Sequence, residues 1–176
     1  MNRAHVTRGL SVVAAALVFA STACAQTLTL NAQYYPSCGT IRLAISHNMF
    51  STPDGKGGLL AAYYNNIHTK GDPVVTRVEA LPQLDKPFAH EHVGADNYSI
   101  TWRGTFGPVP QSGIYRLQTI TDDGVRAWVN GKQIIDDWRP HPPASNTGQI
   151  RLKKGQTVAF RIDYFEKGGG DTFQAE

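Results

Sequence analysis

The sequence predicts an all-β fold, an antiparallel β-sandwich or barrel, from two observations. Several short segments alternate apolar and polar residues with a period of two, which is the pattern of half-buried strands. Clusters of Gly, Pro, Asn and Asp separate these segments, and after residue 25 no stretch has the periodicity of an amphipathic helix. A chain of 176 residues, of which 41% are hydrophobic, is long enough for one such domain.

Residues 1–25 have the pattern of a secretory signal peptide. Arg3 and Arg8 precede a short apolar run at residues 10–20, and Ala23-Cys24-Ala25 fits a cleavage site flanked by small residues. We therefore expect a mature chain that is secreted, periplasmic or located at the cell surface. The alternative is a lipoprotein signal, in which Cys24 becomes lipidated and attaches the protein to a membrane.

Charge and cysteine content set further limits. Without Arg3 and Arg8 the 17 basic side chains fall to 15, against 14 acidic ones, so the mature chain is nearly neutral. This charge gives no reason to expect nucleic acid as a partner. Cys38 would be the one cysteine left after cleavage, so no internal disulfide is expected.

The rest of the chain divides into two parts. Residues 26–57 are an N-terminal extension that ends in a predicted linker, because residues 51–58 are dense in turn formers. Residues 58–176 are the β-domain. Its strand-like segments are residues 59–64, 98–103, 115–119, 125–129, 150–152 and 158–164. We expect residues 81–94 to be irregular and the last strand, which begins at residue 172, to be incomplete.

A β-hairpin around Asn130-Gly131 is the strongest local signal. Both residues readily adopt the positive φ that a type I′ turn requires, and alternating segments flank them. Val125, Ala127 and Val129 are therefore predicted to share one face of the hairpin.

Five blocks of sequence occur in a fixed order: Gly58-Leu59-Leu60-Ala61-Ala62-Tyr63-Tyr64, Tyr98-Ser99-Ile100-Thr101-Trp102-Arg103-Gly104, Pro110-Gln111-Ser112-Gly113-Ile114-Tyr115, residues 121–138 with His141, and Arg161-Ile162-Asp163-Tyr164-Phe165-Glu166-Lys167-Gly168-Gly169-Gly170. In this order they resemble the protective-antigen-like (PA14) domain family, a module of secreted glycosidases, adhesins and toxins. The resemblance implies a β-sandwich and, as in many members, calcium-dependent binding of carbohydrate.

The resemblance also implies a set of site residues. In calcium-binding members an Asp-Asp pair joined by a cis peptide bond holds an ion that also binds sugar hydroxyls, and Asp122-Asp123 match this pair. Residues 166–171 match a second binding loop. We therefore predict Ca²⁺ as cofactor, with three ligands, Asp122, Asp123 and Asp171. The predicted glycan-binding residues are Trp138, Arg139, His141, Glu166 and Gly169.

Calcium chemistry and ordinary turn chemistry compete as interpretations of Asp122-Asp123. Ca²⁺ takes six to eight oxygen ligands, which Asp122 and Asp123 could supply together with Asp171 or the carbonyls of residues 168–170. In the alternative interpretation, Asp122 only accepts hydrogen bonds from the turn backbone and Asp123 is solvated.

The aromatic residues near the hairpin also have two interpretations. Trp128 and Trp138 could stack against a sugar ring or pack inside the domain. We expect core packing for Trp128 and leave both roles open for Trp138, which adjoins Arg139. Arg126 is expected to pair with a carboxylate on a neighbouring strand.

No pattern in the sequence indicates catalysis. His90 and His92 would share one face of an extended segment, but zinc needs at least three protein ligands and no third lies nearby in sequence. Gly-x-Ser-x-Gly, His-Glu-x-x-His and phosphate-loop motifs are absent. The adjacent Asp122 and Asp123 suit a shared ion better than a pair of carboxylates flanking a glycosidic bond.

These observations predict a secreted, calcium-dependent carbohydrate-binding module for adhesion or targeting, with glycans as partners. The alternative is a metal-free structural or protein-interaction module, accessory to a secreted glycosidase or toxin.

Overall fold

The computed structural model describes residues 25–29, 42–44 and 47–176, which form two packed β-sheets and one short helix. In chain order the elements are β1 (Ala25–Thr29), β2 (Arg42–Ala44), β3 (Phe50–Ser51), β4 (Leu59–Tyr64), β5 (Val75–Glu79), α1 (Lys86–Val93), β6 (Tyr98–Phe106), β7 (Gly113–Asp122), β8 (Val125–Val129), β9 (Lys132–Asp137), β10 (Ala144–Leu152), β11 (Val158–Glu166) and β12 (Thr172–Ala175). A 3₁₀ turn, His47–Met49, precedes β3.

The larger sheet is antiparallel throughout, and the smaller sheet is mixed. One has the order β10-β7-β1-β2, with β12 also paired to β7, and the other has the order β5-β4-β6-β11-β8-β9, with β3 paired to β6. Among the described strands, β1 alone makes parallel pairs, with β2 and β7. The predicted all-β sandwich is confirmed, and the sheets do not close into a barrel.

The core lies between the inward faces that the period-two pattern predicts. Tyr98, Ile100 and Trp102 of β6 are fully buried, and Val158, Phe160, Ile162 and Tyr164 of β11 are at most 3% exposed. The hairpin face of β8 is buried in the same way. Asn130 (φ 53°) and Gly131 (φ 75°) form the predicted turn with positive φ at both residues.

Residues 51–58, the predicted linker, form a tight turn that follows β3. Phe50 is completely buried between Phe106 and Phe160, with ring centroids 5.5 and 5.1 Å away. The Gly58 amide then donates to the Phe50 carbonyl at 2.9 Å, which closes a tight turn. Turn-forming residues make short loops within a domain as well as linkers between domains, and the predicted division at residue 58 stays a prediction.

Residues 81–94 contain a helix that the sequence interpretation missed. The Asp85 side chain accepts the Phe88 amide at 3.3 Å, Pro87 lies in the first turn, and the Gly94 amide donates to the His90 carbonyl at 3.2 Å. These are ordinary start and stop signals. The eight-residue helix buries only Ala89 and Val93, so it leaves no periodic pattern long enough to detect.

Several predictions fall outside the described residues. The signal peptide does so up to residue 24, and Cys24 and Cys38 do so as well. Within the described part of the chain, no helix is long and apolar enough to cross a membrane. Where the sequence predicts an incomplete last strand, Thr172–Ala175 form β12 along the end of β7.

Candidate acidic site at the end of the sandwich

The site forms where β7 turns into β8, beside the end of β11. Asp122 and Asp123 are joined by a cis peptide bond, as the family resemblance implies. Gly124 follows in a position too close to other atoms for a side chain, because a Cβ there would lie 2.3 Å from Phe165 and 2.9 Å from the Asp137 carbonyl. This close approach lets the Phe165 amide donate to the Gly124 carbonyl at 3.0 Å, which fixes the turn against β11.

Three carboxylates converge at this turn. Asp122, Asp123 and Glu166 each offer an oxygen within 4.8 Å of the others, and no other described residues form such a group. Asp122 is half-buried, Asp123 is 4% exposed and Glu166 is completely buried. Glu166 reaches the site because it continues the inward alternation of β11 after Tyr164. The sequence interpretation assigned Glu166 to glycan binding, and its inward position in β11 was the signal that could have placed it in the acidic cluster.

Asp123 also joins two loops to the turn. One of its oxygens accepts the backbone amide of His141, from the connection between β9 and β10, at 2.8 Å. The other accepts the backbone amide of Lys167, from the connection between β11 and β12, also at 2.8 Å. The carboxylate therefore fixes both walls of the site relative to Gly124 and β7.

Glu166 and Tyr164 share the inner side of the cluster. The Tyr164 hydroxyl lies 2.6 Å from the Asp122 carbonyl and 3.3 Å from Oε2 of Glu166, and it can donate to either. The remaining oxygen of Glu166, Oε1, is buried and accepts no well-formed hydrogen bond from the described residues, although the backbone amide of Gly168 lies close enough to the carboxylate to lower its pKa. Burial, and next the negative charge of Asp123, raise the pKa of Glu166 to about 7. The same two causes raise the pKa of Asp122.

Asp171 lies beside this cluster but is not a member of it. Its Oδ1 is 2.5 Å from the Lys86 ammonium, and its Oδ2 contacts His90 Nε2 at 2.8 Å and the Tyr98 hydroxyl at 3.0 Å. Burial by itself raises the pKa of Asp171, but the bonds from Lys86, His90 and Tyr98 outweigh it and hold the pKa below its usual value. Its role as a metal ligand stays a prediction.

The predicted glycan-binding residues surround the cluster unevenly. Trp138 is half-buried, packed edge-on against Phe165 at 4.7 Å and covered by the Arg126 guanidinium at 3.9 Å. Arg139 is exposed and bonds to Asp137 at 2.7 Å. The roles of both side chains in binding stay predictions.

His141 contacts the cluster through its backbone amide, and Gly169 lies in the exposed loop beside it. His141 is half-buried, and its Nε2 lies 3.3 Å from an Asp137 oxygen while its amide reaches Asp123. Gly169 is exposed with a φ of 110°, a conformation that other residues rarely adopt. Their roles in ligand binding likewise stay predictions.

Two expectations near the site are corrected by the structure. Trp128 is not in the core: it is half-buried on the outer face, with Arg161 4.9 Å and Arg126 5.4 Å from its ring.

His90 and His92 do not share a face, because they lie in α1 and not in an extended segment. His92 instead contacts the Phe88 carbonyl at 2.8 Å. The expected partner of Arg126 is Asp163, on the adjacent strand at 3.3 Å.

A two-sheet sandwich with a cis Asp-Asp turn beside an inward glutamate defines the class of module that the sequence blocks indicated. The chain belongs to the PA14 domain family, whose model matches residues 55–175. This match begins three residues before the boundary that the sequence predicts.

Three relatives of known name are similar over about 60% of the chain. The anti-sigma-I factor RsgI3 of Acetivibrio thermocellus is 32% identical over 111 residues, which is 62% of this chain and 17% of that protein. The protective antigen of Bacillus anthracis is 31% identical over 61% of this chain and 14% of its own length. A xylan 1,4-beta-xylosidase of Xylanibacter ruminicola is 28% identical over 64% of this chain and 13% of its own length.

A solved structure of an anti-sigma factor domain-containing protein shares the architecture. It superposes with a TM-score of 0.57 at 28% identity, covering 67% of this chain and 41% of that one. The chain therefore spans less than a fifth of the length of the relatives of known name and less than half of this structure.

Proposed function

We propose that this domain is a non-catalytic module that binds carbohydrate through a calcium ion held by Asp122, Asp123 and Glu166. The observation that carries the proposal is the convergence of three carboxylates within 4.8 Å, one of which has a buried oxygen without a well-formed hydrogen bond in the part of the chain that the structure describes. A buried carboxylate without a compensating contact is costly, and a cation supplies that contact.

The donor set favours calcium over other metals. All three side chains offer oxygen, and the group contains no histidine or cysteine, the ligands that zinc and copper prefer. Calcium also tolerates irregular geometry and takes backbone carbonyls and ligand hydroxyls to complete its shell. The adjoining loop at residues 167–170 is exposed and could supply such carbonyls.

Three side-chain ligands leave most of a calcium shell open to an incoming molecule. Neighbouring hydroxyls of a sugar are hard oxygen donors that suit these positions. The family supports this assignment, since one relative is named as a xylan 1,4-beta-xylosidase, an enzyme that acts on a polysaccharide. The half-buried Trp138 directly follows the end of β9, and it would offer an apolar edge to the ring of the sugar.

The proposal also includes a cellular location for the protein. The signal-like residues 1–25 favour export, and a module that binds glycan outside the cell would serve adhesion or targeting. Membrane attachment would require lipidation at Cys24. A shallow sugar site binds weakly by itself, so such a module gains strength from repeated copies or from other domains.

Calorimetric titration of calcium into the metal-stripped protein tests the ion site. We expect saturable heat with a stoichiometry of one, and we expect it to vanish in Glu166→Gln and in Asp123→Asn. Asp72→Asn is a matched control, because it removes the same charge at an exposed position that is not part of the cluster. A flat trace from the folded parent protein would refute calcium binding.

The sugar is tested next, with a panel of monosaccharides and xylan fragments in calcium and in chelator. We expect binding by the parent protein and by Asp72→Asn that is lost in chelator and in Asp123→Asn. Binding that persists in chelator would separate the glycan from the ion and refute the proposed mechanism.

One observation favours the alternative of a metal-free structural module. Both oxygens of Asp123 already accept backbone amides, so the carboxylate has a purely structural use as a link between two loops. In that case Asp123→Ala would lower stability without removing any ligand. Under the calcium proposal the same substitution removes ion and sugar together.

A further inference from the structure

The loop at residues 167–171, here called the binding loop, lies against the acidic cluster and connects β11 to β12. Residues 167–170 are exposed, and three of them are glycines, which lose more conformational freedom on ordering than any other residue. At its start the loop is fixed by the Lys167 amide, which donates to Asp123 at 2.8 Å. A loop of this composition needs a second fixed point to present its carbonyls in one arrangement.

Asp171 supplies that second point. Its side chain is 8% exposed, and each of its oxygens already has a strong partner. Oδ1 lies 2.5 Å from Lys86, and Oδ2 lies 2.8 Å from His90 and 3.0 Å from the Tyr98 hydroxyl. Lys86 and His90 both belong to α1, so the carboxylate joins the end of the binding loop to the helix.

Helix α1 is itself held firmly enough to serve as this support. Its residues Ala89 and Val93 are buried, and the Arg77 guanidinium lies 3.6 Å from the centre of the Phe88 ring. Arg77 also bonds to Asp85, the residue that caps the helix, at 3.0 Å. The helix is therefore fixed to β5 at its N-terminal end. It can hold the binding loop through the side chains of Lys86 and His90.

We propose that Asp171 is a positioning residue, which holds the binding loop beside the acidic cluster through Lys86 and His90, and is not a ligand of the ion. This inference rests on the proposed function for its effect on calcium. The geometry supports it because the group of three convergent carboxylates excludes Asp171, whose oxygens face the helix.

Lys86 distinguishes a positioning role of Asp171 from a ligand role, because the two roles predict opposite signs. If Asp171 were a ligand, Lys86 would compete with the ion, and Lys86→Met would tighten calcium binding. If Asp171 positions the loop, Lys86→Met loosens it and weakens calcium binding about threefold to tenfold. The Lys86 side chain is 51% exposed, so its replacement leaves the fold intact.

The experiment compares Lys86→Met with two controls by calcium titration. Lys86→Arg retains the charge and should restore most of the affinity. Lys70→Met removes an exposed lysine that does not pair with Asp171 and should behave like the parent protein. Calcium affinity that rises or stays unchanged in Lys86→Met would overturn the inference.

A second readout does not depend on any ion. Lys167 is exposed within the binding loop and offers a trypsin site, so the rate of cleavage after Lys167 reports how firmly the loop is held. We expect cleavage of the metal-stripped protein to be at least about threefold faster in Lys86→Met than in the parent protein, Lys86→Arg or Lys70→Met. Equal rates would overturn the positioning role even if the parent protein bound no calcium, which would refute only the proposed function.

Discussion

At the scale of single residues, Glu166 determines how the acidic site responds to solvent. It is completely buried, one of its oxygens accepts no well-formed hydrogen bond from residues 25–29, 42–44 and 47–176, and its pKa is raised to about 7. A group of this kind is tolerable in two states, protonated or bound to a cation. Proton and cation therefore compete for the same buried oxygen.

This competition predicts the pH dependence of the metal-free protein. Because the folded pKa of Glu166 lies above its unfolded value of 4.5, the carboxyl costs nothing below about pH 4.5. Its cost grows as the pH rises towards 7 and reaches the order of 3 kcal/mol above that value. We expect Glu166→Gln to abolish this loss, which urea denaturation of metal-stripped protein at pH 5 and pH 8 would measure. An equal loss of stability in parent protein and variant would assign it to other groups.

Gly124 gives a steric prediction at the same scale. A methyl group there would lie 2.3 Å from the Phe165 ring and 2.9 Å from the Asp137 carbonyl, and the backbone atom cannot move aside cheaply. We expect Gly124→Ala to lower the free energy of unfolding by about 2–4 kcal/mol. Gly170→Ala is the control, since nothing lies within 4 Å of its added methyl group. Similar melting temperatures for the two variants would show that the turn is not tightly packed.

The sequence alone reveals the Asp pair, but it does not reveal which side chains contact Asp171 in the folded domain. Asp122-Asp123 is visible because adjacent carboxylates next to a glycine are a local pattern. The contacts of Asp171 are not local, since it meets Lys86 and His90 more than 80 residues earlier in the chain. Such partners become visible only when the sheets bring β12 and α1 together.

At the scale of elements, strands were predictable and the helix was not. The alternating apolar residues of β6 and β11 are buried because one face of each strand meets the other sheet. The opposite faces are partly covered as well, since Ser99, Thr101 and Asp163 are also buried, which alternation does not predict. Helix α1 has eight residues and two buried positions, so its sequence signals were those at its ends, Asp85, Pro87 and Gly94. Short elements are recognised by their ends and not by their periodicity.

The outer face of the larger sheet carries a row of stacked cations and aromatic rings, and Asp163 lies beneath it. This carboxylate is completely buried and bonds to Arg126 at 3.3 Å, to Arg161 at 2.7 Å and to Thr101 at 3.1 Å. Arg126 in turn covers Trp138 at the rim of the site. The row therefore connects the interior of the sheet with the predicted binding surface.

Removal of Asp163 should release this row. We expect Asp163→Ala to cost about 2–3 kcal/mol of stability, because it leaves two guanidinium groups and a buried hydroxyl without their partner. Asp136→Ala is a matched control, since Asp136 also lies opposite Arg126 in the sheet but is exposed, and its loss should stay within about 0.5 kcal/mol. Denaturant midpoints measure both, and equal effects would contradict the role of the buried carboxylate.

At the scale of the whole molecule, the sandwich collects the site from distant segments. The end of β7, the end of β11 and the connection between β9 and β10 meet at Asp123, although the sequence separates them by up to 44 residues. Alternation and turn spacing predicted the fold class. They also placed the Asp pair at the start of the hairpin. The distances among the carboxylates depend on how the two sheets pack, which no local pattern records.

The final prediction concerns how such a module would act. A single calcium-bridged site offers few contacts, so we expect one domain to hold an immobilised glycan weakly. Two copies joined by a flexible linker should bind at least about tenfold more tightly in calcium, because the second contact becomes intramolecular. A tandem in which one copy carries Asp123→Ala keeps the same length and linker, and it should bind like a single domain. Biosensor measurements on a glycan-coated surface make this comparison, and a tandem no tighter than its half-inactivated control would argue against an adhesive role.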